Sequence, residues 1–140
     1  MKKKVTTHSI LKMKRSGEKI AAITSYDFLS TKLIDETGID LILVGDSLGM
    51  VIMGYENTIP VTMEEMIHHL KAVTRAKPSA MVAGDMPFMS YQASVEDAVR
   101  NAGRLVKEGG AESVKLEGGR RYVPVVEAIV HASIPVIGHL

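Results

Sequence analysis

Three carboxylates, each closing an apolar run, are the side chains in this chain best placed to do chemistry. Asp46 ends Leu41-Ile42-Leu43-Val44-Gly45-Asp46, Asp85 ends Ala80-Met81-Val82-Ala83-Gly84-Asp85, and Glu117 ends Ser113-Val114-Lys115-Leu116-Glu117. Runs of this kind read as strands of a parallel sheet buried on both faces. Carboxylates crowded at the carboxyl ends of such strands repel one another unless protons or a cation intervene. A hard divalent ion such as Mg²⁺ relieves the repulsion, taking two or three carboxylate oxygens and keeping positions for substrate or water. The alternative for each acid is a helix cap or a surface ion pair.

Other residues could serve the same mouth. Lys115 lies two positions before Glu117, so on a strand the two side chains share a face. A charged pair pointing inward needs a reason, since unpaired burial is costly; binding a carboxylate substrate is one reason and a structural ion pair is the other. His139 closes Val136-Ile137-Gly138-His139, where an imidazole can hydrogen-bond an oxyanion, carry a proton or ligate a metal. Ser47, next after Asp46, suits substrate hydrogen bonding or a turn. Tyr26-Asp27 could shape the same mouth, although helix capping already accounts for Asp27. His68 and His69 are adjacent and point different ways on a helix, which argues against a metal pair; His8 and His131 carry no signal. Gly45-Asp46-Ser47-Leu48-Gly49 has the spacing of a Gly-x-Ser-x-Gly elbow, yet a serine hydrolase is not the expected reading, and the lack of a Gly-x-Gly-x-x-Gly or P-loop motif argues against dinucleotide enzymes and nucleotide triphosphatases.

The elements that must hold these residues alternate along the chain. A helix over residues 7–15 is stopped by Gly17, and residues 20–24 read as a first strand. Asp27 caps a helix through Leu29, Leu33 and Ile34 that ends at Gly38. After the second strand at residues 41–46, the connection over residues 47–61 is long for a βα loop, ordinarily about 2–6 residues. Thr62 and Glu65 form a capping box that opens a helix with Met63, Met66, Ile67, Leu70 and Val73 on its apolar face. The third strand, residues 80–85, follows Pro78. Ser94 caps a helix with the face Val95, Ala98, Val99, Ala102, Leu105 and Val106, ended by Gly109-Gly110. Strand four (residues 113–117), a helix over residues 122–132 with Pro124 in its first turn, and strand five (residues 134–139) complete the series.

Strands joined by helices imply right-handed crossovers and a parallel α/β sheet. A doubly wound sheet gathers its ligands at one switch point, whereas here strands two to five each end in a functional side chain. That distribution points to a (β/α)8 TIM-type barrel. Since such a barrel needs eight strands and about 250 residues, residues 1–140 read as one incomplete barrel domain: an N-terminal helix and about the first five strands.

Composition sets outer bounds. The chain is 46% hydrophobic and 24% charged with a net charge of +1, so nothing draws it to nucleic acid or to an anionic membrane. The basic start (Lys2, Lys3, Lys4, Lys12, Lys14, Arg15) reads as the solvated face of a short helix. No segment approaches the roughly 18 apolar residues of a membrane span, and no secretory h-region follows the lysines. The absence of cysteine excludes disulfides, zinc–thiolate sites and thiol nucleophiles. A cytoplasmic location is expected.

The motifs together resemble one family. Val44-Gly45-Asp46-Ser47-Leu48-Gly49-Met50-Val51, then Thr58-Ile59-Pro60-Val61-Thr62, the Gly84-Asp85-Met86-Pro87-Phe88-Met89-Ser90-Tyr91 segment, Lys115-Leu116-Glu117-Gly118-Gly119 and the closing Gly138-His139-Leu140 are similar to the ketopantoate hydroxymethyltransferases. The likeness runs over residues 7–140. It implies a (β/α)8 barrel with an added N-terminal helix, assembled as a homo-oligomer. It also implies transfer of a one-carbon unit from 5,10-methylenetetrahydrofolate to 3-methyl-2-oxobutanoate, giving 2-dehydropantoate in pantothenate biosynthesis, through a Mg²⁺-stabilised enolate. On this resemblance Asp46 and Asp85 match metal-binding acids, with Glu117 the third, directly or through water. Ser47, Asp85, Lys115 and His139 match the groups that hold the 2-oxo acid. The family's general base comes from a later strand, beyond residue 140, so little or no turnover is expected of this 140-residue chain alone.

Two other readings stand beside it. A phosphoenolpyruvate mutase or 2-oxo acid lyase would share the carboxylate-bound Mg²⁺ and the enolate but not the long loop over residues 47–61. A non-catalytic fragment that binds a ligand or partner is the reading outside enzymes.

Overall fold

A computed structural model describes residues 3–140; Lys2 lies outside them. Five strands, β1 (Ala22–Thr24), β2 (Leu41–Val44), β3 (Met81–Asp85), β4 (Ser113–Glu117) and β5 (Val136–His139), pair in parallel in the order β1-β2-β3-β4-β5. Sequential order is that of a barrel wall. A doubly wound sheet reverses direction part way across, and this one does not.

The helices are α1 (Thr7–Ser16), α2 (Phe28–Glu36), α3 (Leu48–Val51), α4 (Met63–Arg75), α5 (Val95–Lys107) and α6 (Val123–His131), the last entered through a 3-10 turn at Arg120–Tyr122. Local chemistry explains their starts. At α4 the Thr62 hydroxyl accepts from Glu65 N–H at 3.2 Å and the Glu65 carboxylate accepts from Thr62 N–H at 2.7 Å. The Asp27 carboxylate accepts from Ser30 N–H to cap α2, and the Ser94 hydroxyl accepts from Asp97 N–H to cap α5. Met63, Met66, Ile67, Leu70 and Val73 of α4 are all buried, as their spacing predicts, and Ala98, Ala102 and Leu105 of α5 pack into the same core with Ile42, Val82 and Val114.

Three differences from the sequence reading matter. Strand β2 ends at Val44, so Asp46 sits in the turn beyond it. The long connection is not plain loop: its first residues wind into α3, one turn of helix. Helix α2 buries Thr31 against the sheet side and leaves Phe28, Leu29 and Leu33 exposed, its main helix neighbour being α4.

The amino ends of the strands form the structural pole. Val5 N–H donates to Ser79 O at 2.7 Å, and Lys4 reaches Ala80 O and Glu112 Oε2, each at 2.7 Å. Lys4 is therefore bound, not part of a free basic face. Asp35 Oδ1 accepts from Ser79 N–H, Ser79 Oγ–H and Ala80 N–H. Conservation of order at this end and chemistry at the other is the usual division of a barrel.

Candidate functional site

Register decides which side chains share a face. Asp85 is paired with Lys115, and Glu117 with His139. With the two-residue alternation of a strand, all four lie on one side of the sheet. The opposite side carries Gly84, where a Cβ would come within 2.9 Å of Leu70 on α4, so that is the helix-packed face. The four polar groups therefore look into the barrel.

At the carboxyl ends of β2–β4 lies a cavity of about 250 Å³. Asp46, Asp85, Lys115 and Glu117 line it together with Met86, Tyr91 and, from the long loop, Thr58 and Ile59. A cavity of about 320 Å³ at the other end touches Lys4, Thr74, Pro78 and Glu112; it is larger, but its acid is already paired with Lys4.

Asp85 is 3% exposed. Loss of hydration pushes its carboxyl up to about 6; Lys115 and the Asp46 N–H pull the other way, and the nearby Asp46 carboxylate adds to the rise. Both of its hydrogen bonds, from Asp46 N–H and from Lys115 Nζ, fall on Oδ2 at 3.2 Å. Oδ1 stays available to a ligand.

Lys115 also donates to Glu117 Oε2 at 3.3 Å, and His139 Nδ1 lies 3.1 Å from the same oxygen. The His139 contact comes first and Lys115 second in holding the Glu117 carboxyl below its ordinary value. For Lys115, burial acts against the ammonium, but Asp85 and Glu117 outweigh it and keep its pKa raised. Glu117 and His139 are both mostly exposed, and His139 does not line the cavity. Among the described residues no group of three or more carboxylates and imidazoles stands close enough to hold one metal ion. The physical reason is visible: the Lys115 ammonium stands between Asp85 and Glu117 and supplies their countercharge. Asp46 and Asp85 remain as the two-carboxylate pair at the cavity.

Ser47 follows Asp46 but makes no capping bond to α3; its hydroxyl meets the Tyr26 phenol at 2.8 Å. Gly45 is what lets these groups gather. A Cβ there would stand 3.0 Å from Ser47 Oγ and 3.8 Å from Asp85 Oδ2, so serine and aspartate flank one small space.

The loop over residues 52–61 is fastened to α4. Tyr55 O–H donates to Glu65 Oε1 at 2.6 Å, and Tyr55 N–H to Gly49 O at 2.8 Å. On the other side of the mouth Tyr91 O–H donates to Glu117 O at 3.1 Å, and the Tyr91 ring meets the Tyr122 ring edge-on at 5.3 Å.

The sequence gives no role to Tyr55 or Tyr91, and offers His69 only as half of an improbable metal pair with His68. His69 Nδ1 is 2.8 Å from Tyr26 O, a bond across 43 residues of chain. The available signal was the four-residue spacing of Glu65 and His69 on α4, and the place of Tyr26 just beyond β1, matching that of Asp46 beyond β2.

A family model described as ketopantoate hydroxymethyltransferase matches residues 4–140. A 3-methyl-2-oxobutanoate hydroxymethyltransferase of Moorella thermoacetica is 62% identical, over 98% of this chain and 51% of that protein. One from Thermoanaerobacter sp. is 60% identical, over 100% of this chain and 51% of its own length. The chain spans about half the length of the curated relatives it matches. Among solved structures, 2,3-dimethylmalate lyase, a PEP mutase/isocitrate lyase superfamily member, superposes with a TM-score of 0.70 at 18% identity, covering 94% of this chain and 51% of that one. Phosphonopyruvate hydrolase, solved with oxalate and Mg²⁺, superposes with a TM-score of 0.74 at 14% identity over 95% and 52%. These structures share the fold, a TIM barrel of which the five parallel strands here are part.

Proposed function

The chain belongs to the ketopantoate hydroxymethyltransferase family, and from that premise we propose that it serves hydroxymethyl transfer from 5,10-methylenetetrahydrofolate to 3-methyl-2-oxobutanoate. The product is 2-dehydropantoate, an intermediate of pantothenate biosynthesis. The observation that carries the reading is the Asp46–Asp85 carboxylate pair lining one cavity with Lys115.

The donor set fits Mg²⁺. Two hard carboxylates line one cavity, Asp85 almost without water and with an oxygen to spare, and the Asp46 carboxylate adds to what disfavours charge on Asp85 until a cation arrives. Asp46 and Asp85 would hold the ion, and Glu117 would act through a bound water. Bound there, Mg²⁺ would supply Lewis-acid polarisation of the carboxylate and keto oxygens of the 2-oxo acid, favouring the enolate.

The protein groups then have separate tasks. Lys115 offers a fixed positive charge to the substrate carboxylate, already held in direction by Asp85 and Glu117. Ser47 donates a hydrogen bond, and His139 can do so once the substrate or a further wall turns it from Glu117. Donors fixed before the reaction lower the cost of charge that develops in it. The loop at Thr58 and Ile59, fastened by Tyr55, keeps water from the mouth.

A homo-oligomer is part of this reading, supported by the exposed Phe28, Leu29 and Leu33 on α2, since clustered apolar surface marks interaction sites. A cytoplasmic reaction is part of the same proposal; separately, no helix among the described residues is long and apolar enough to cross a membrane.

Calorimetric titration with Mg²⁺ and then 3-methyl-2-oxobutanoate tests the reading. Metal-dependent binding of the 2-oxo acid, abolished in Asp46→Asn/Asp85→Asn, is expected. Oxo-acid binding that ignores both metal and those substitutions would refute it. The lyase alternative is separated by product: carbon–carbon cleavage of a 2-oxo acid substrate against tetrahydrofolate-dependent exchange at C3.

A further inference from the structure

Ser47 is next to the candidate metal ligand Asp46, yet its hydroxyl is engaged by a residue with no assigned role. The Tyr26 phenol lies 2.8 Å from Ser47 Oγ. A phenol is more acidic than an aliphatic alcohol, and its lone pair is shared with the ring, so it is the better donor and the poorer acceptor. The favoured direction runs from Tyr26 O–H to Ser47 Oγ. The proton of Ser47 is then left for something other than the protein.

Tyr26 is fixed from several elements at once. Its neighbour Ser25 donates its N–H to Leu43 O at 3.1 Å, and the Ser25 and Thr31 hydroxyls meet at 2.8 Å in the interior. Thr31 Oγ1 donates to Asp27 O at 2.6 Å, while Asp27 caps α2. His69, reaching over from α4, places Nδ1 at 2.8 Å from Tyr26 O. A carbonyl only accepts, so Nδ1 is the donor in this contact. The ring itself packs against the core. These bonds, from β2, α2 and α4, fix the backbone from which the Tyr26 side chain projects, and packing of the ring on the core directs the phenol at Ser47.

The space beside Gly45, flanked by Ser47 Oγ and Asp85 Oδ2, gives that free proton a destination. We infer that Tyr26, anchored by His69, is a positioning residue that presets Ser47 as a hydrogen-bond donor to the 2-oxo acid. The inference rests on the function proposed above, because it needs an oxo acid in the Asp46–Asp85 cavity.

The experiment is calorimetric titration of 3-methyl-2-oxobutanoate, with Mg²⁺ present, into the chain and into Tyr26→Phe, Ser47→Ala and the double variant, each checked by thermal unfolding. Tyr26→Phe should weaken binding about 5- to 20-fold, the scale of one hydrogen bond. The double variant should bind no more weakly than Ser47→Ala, because the phenol works only through the serine. His69→Asn, whose amide can reach from the Nδ1 position, should retain more affinity than His69→Ala. Wild-type affinity in Tyr26→Phe, or additive losses in the double variant, would overturn the inference and leave the proposed function standing. An Ser47→Ala chain with undiminished binding would instead strike the proposed substrate contacts. Without any ligand, the Tyr26 hydroxyl proton should appear by NMR as a slowly exchanging resonance that is lost in Ser47→Ala; a freely exchanging phenol defeats the inference even if no oxo acid binds.

Discussion

Lys115 Nζ stands 3.2 Å from Asp85 Oδ2, with 13% and 5% of the two side chains exposed. The pairing follows from register, since the two residues are opposite each other on β4 and β3. Even so, the carboxyl of Asp85 lies above its ordinary range, because the water it has lost outweighs the lysine it has gained.

That balance makes stability depend on pH in a defined direction. The Asp85 carboxyl ionises near 3.8 when unfolded and at about 6 when folded. Between those values the folded state holds a proton that the unfolded state has released, so stability from this group is present below pH 3.8 and is lost as pH rises through about 6. Without divalent metal, Asp85→Asn should gain stability relative to the parent on going from pH 4 to pH 7, by roughly 3 kcal/mol at most. Urea unfolding of both proteins at the two pH values measures it. A stability difference that does not change with pH would show that burial does not govern this carboxyl.

Gly45→Ala places a methyl group in the space between Ser47 and Asp85. Binding of the 2-oxo acid should fall more than about tenfold, the scale of crowding in a packed site. The thermal midpoint should move little, since one hydroxyl can rotate aside. Equal affinity in the two proteins would place the ligand elsewhere.

Tyr55→Phe removes the bond to Glu65 that fastens the long loop. The cost should be about 1 kcal/mol. It should concentrate locally, with amide hydrogen exchange faster over residues 52–59 and unchanged in β3 and β4. Uniform acceleration across the sheet would mean that the bond supports the whole fold and not the loop.

Gly118→Ala should destabilise more. Gly118 has φ of +113°, and a Cβ there would overlap the Tyr122 ring. Strained backbone and a displaced aromatic ring together cost about 2–4 kcal/mol. Pairing it with Tyr122→Ala should recover the steric part and leave the backbone part, a difference that thermal unfolding of the two proteins resolves.

Much of this molecule is legible in its residues. The apolar runs ending in Asp85 and Glu117 are strands, and the capping boxes and glycines mark where helices begin and end. The sequence runs the second strand on to Asp46, two residues beyond Val44 where pairing stops, because an apolar run does not say where its partner ends. The spacing of Leu29, Leu33 and Ile34 predicts the helix, but Leu29 and Leu33 are exposed, since periodicity gives a face and not what covers it.

The sequence by itself determined the element order and the face that Lys115 and Glu117 share, because alternation along a strand is a local property of the backbone; register between strands put Asp85 and His139 on that same side. Only the tertiary structure decided which of those groups meet. Lys115 comes between Asp85 and Glu117, Tyr26 reaches Ser47 across 21 residues of chain, and His69 reaches Tyr26 across 43. Contacts of that kind depend on strand order and on where helices pack, so they are properties of the assembled sheet and not of any segment.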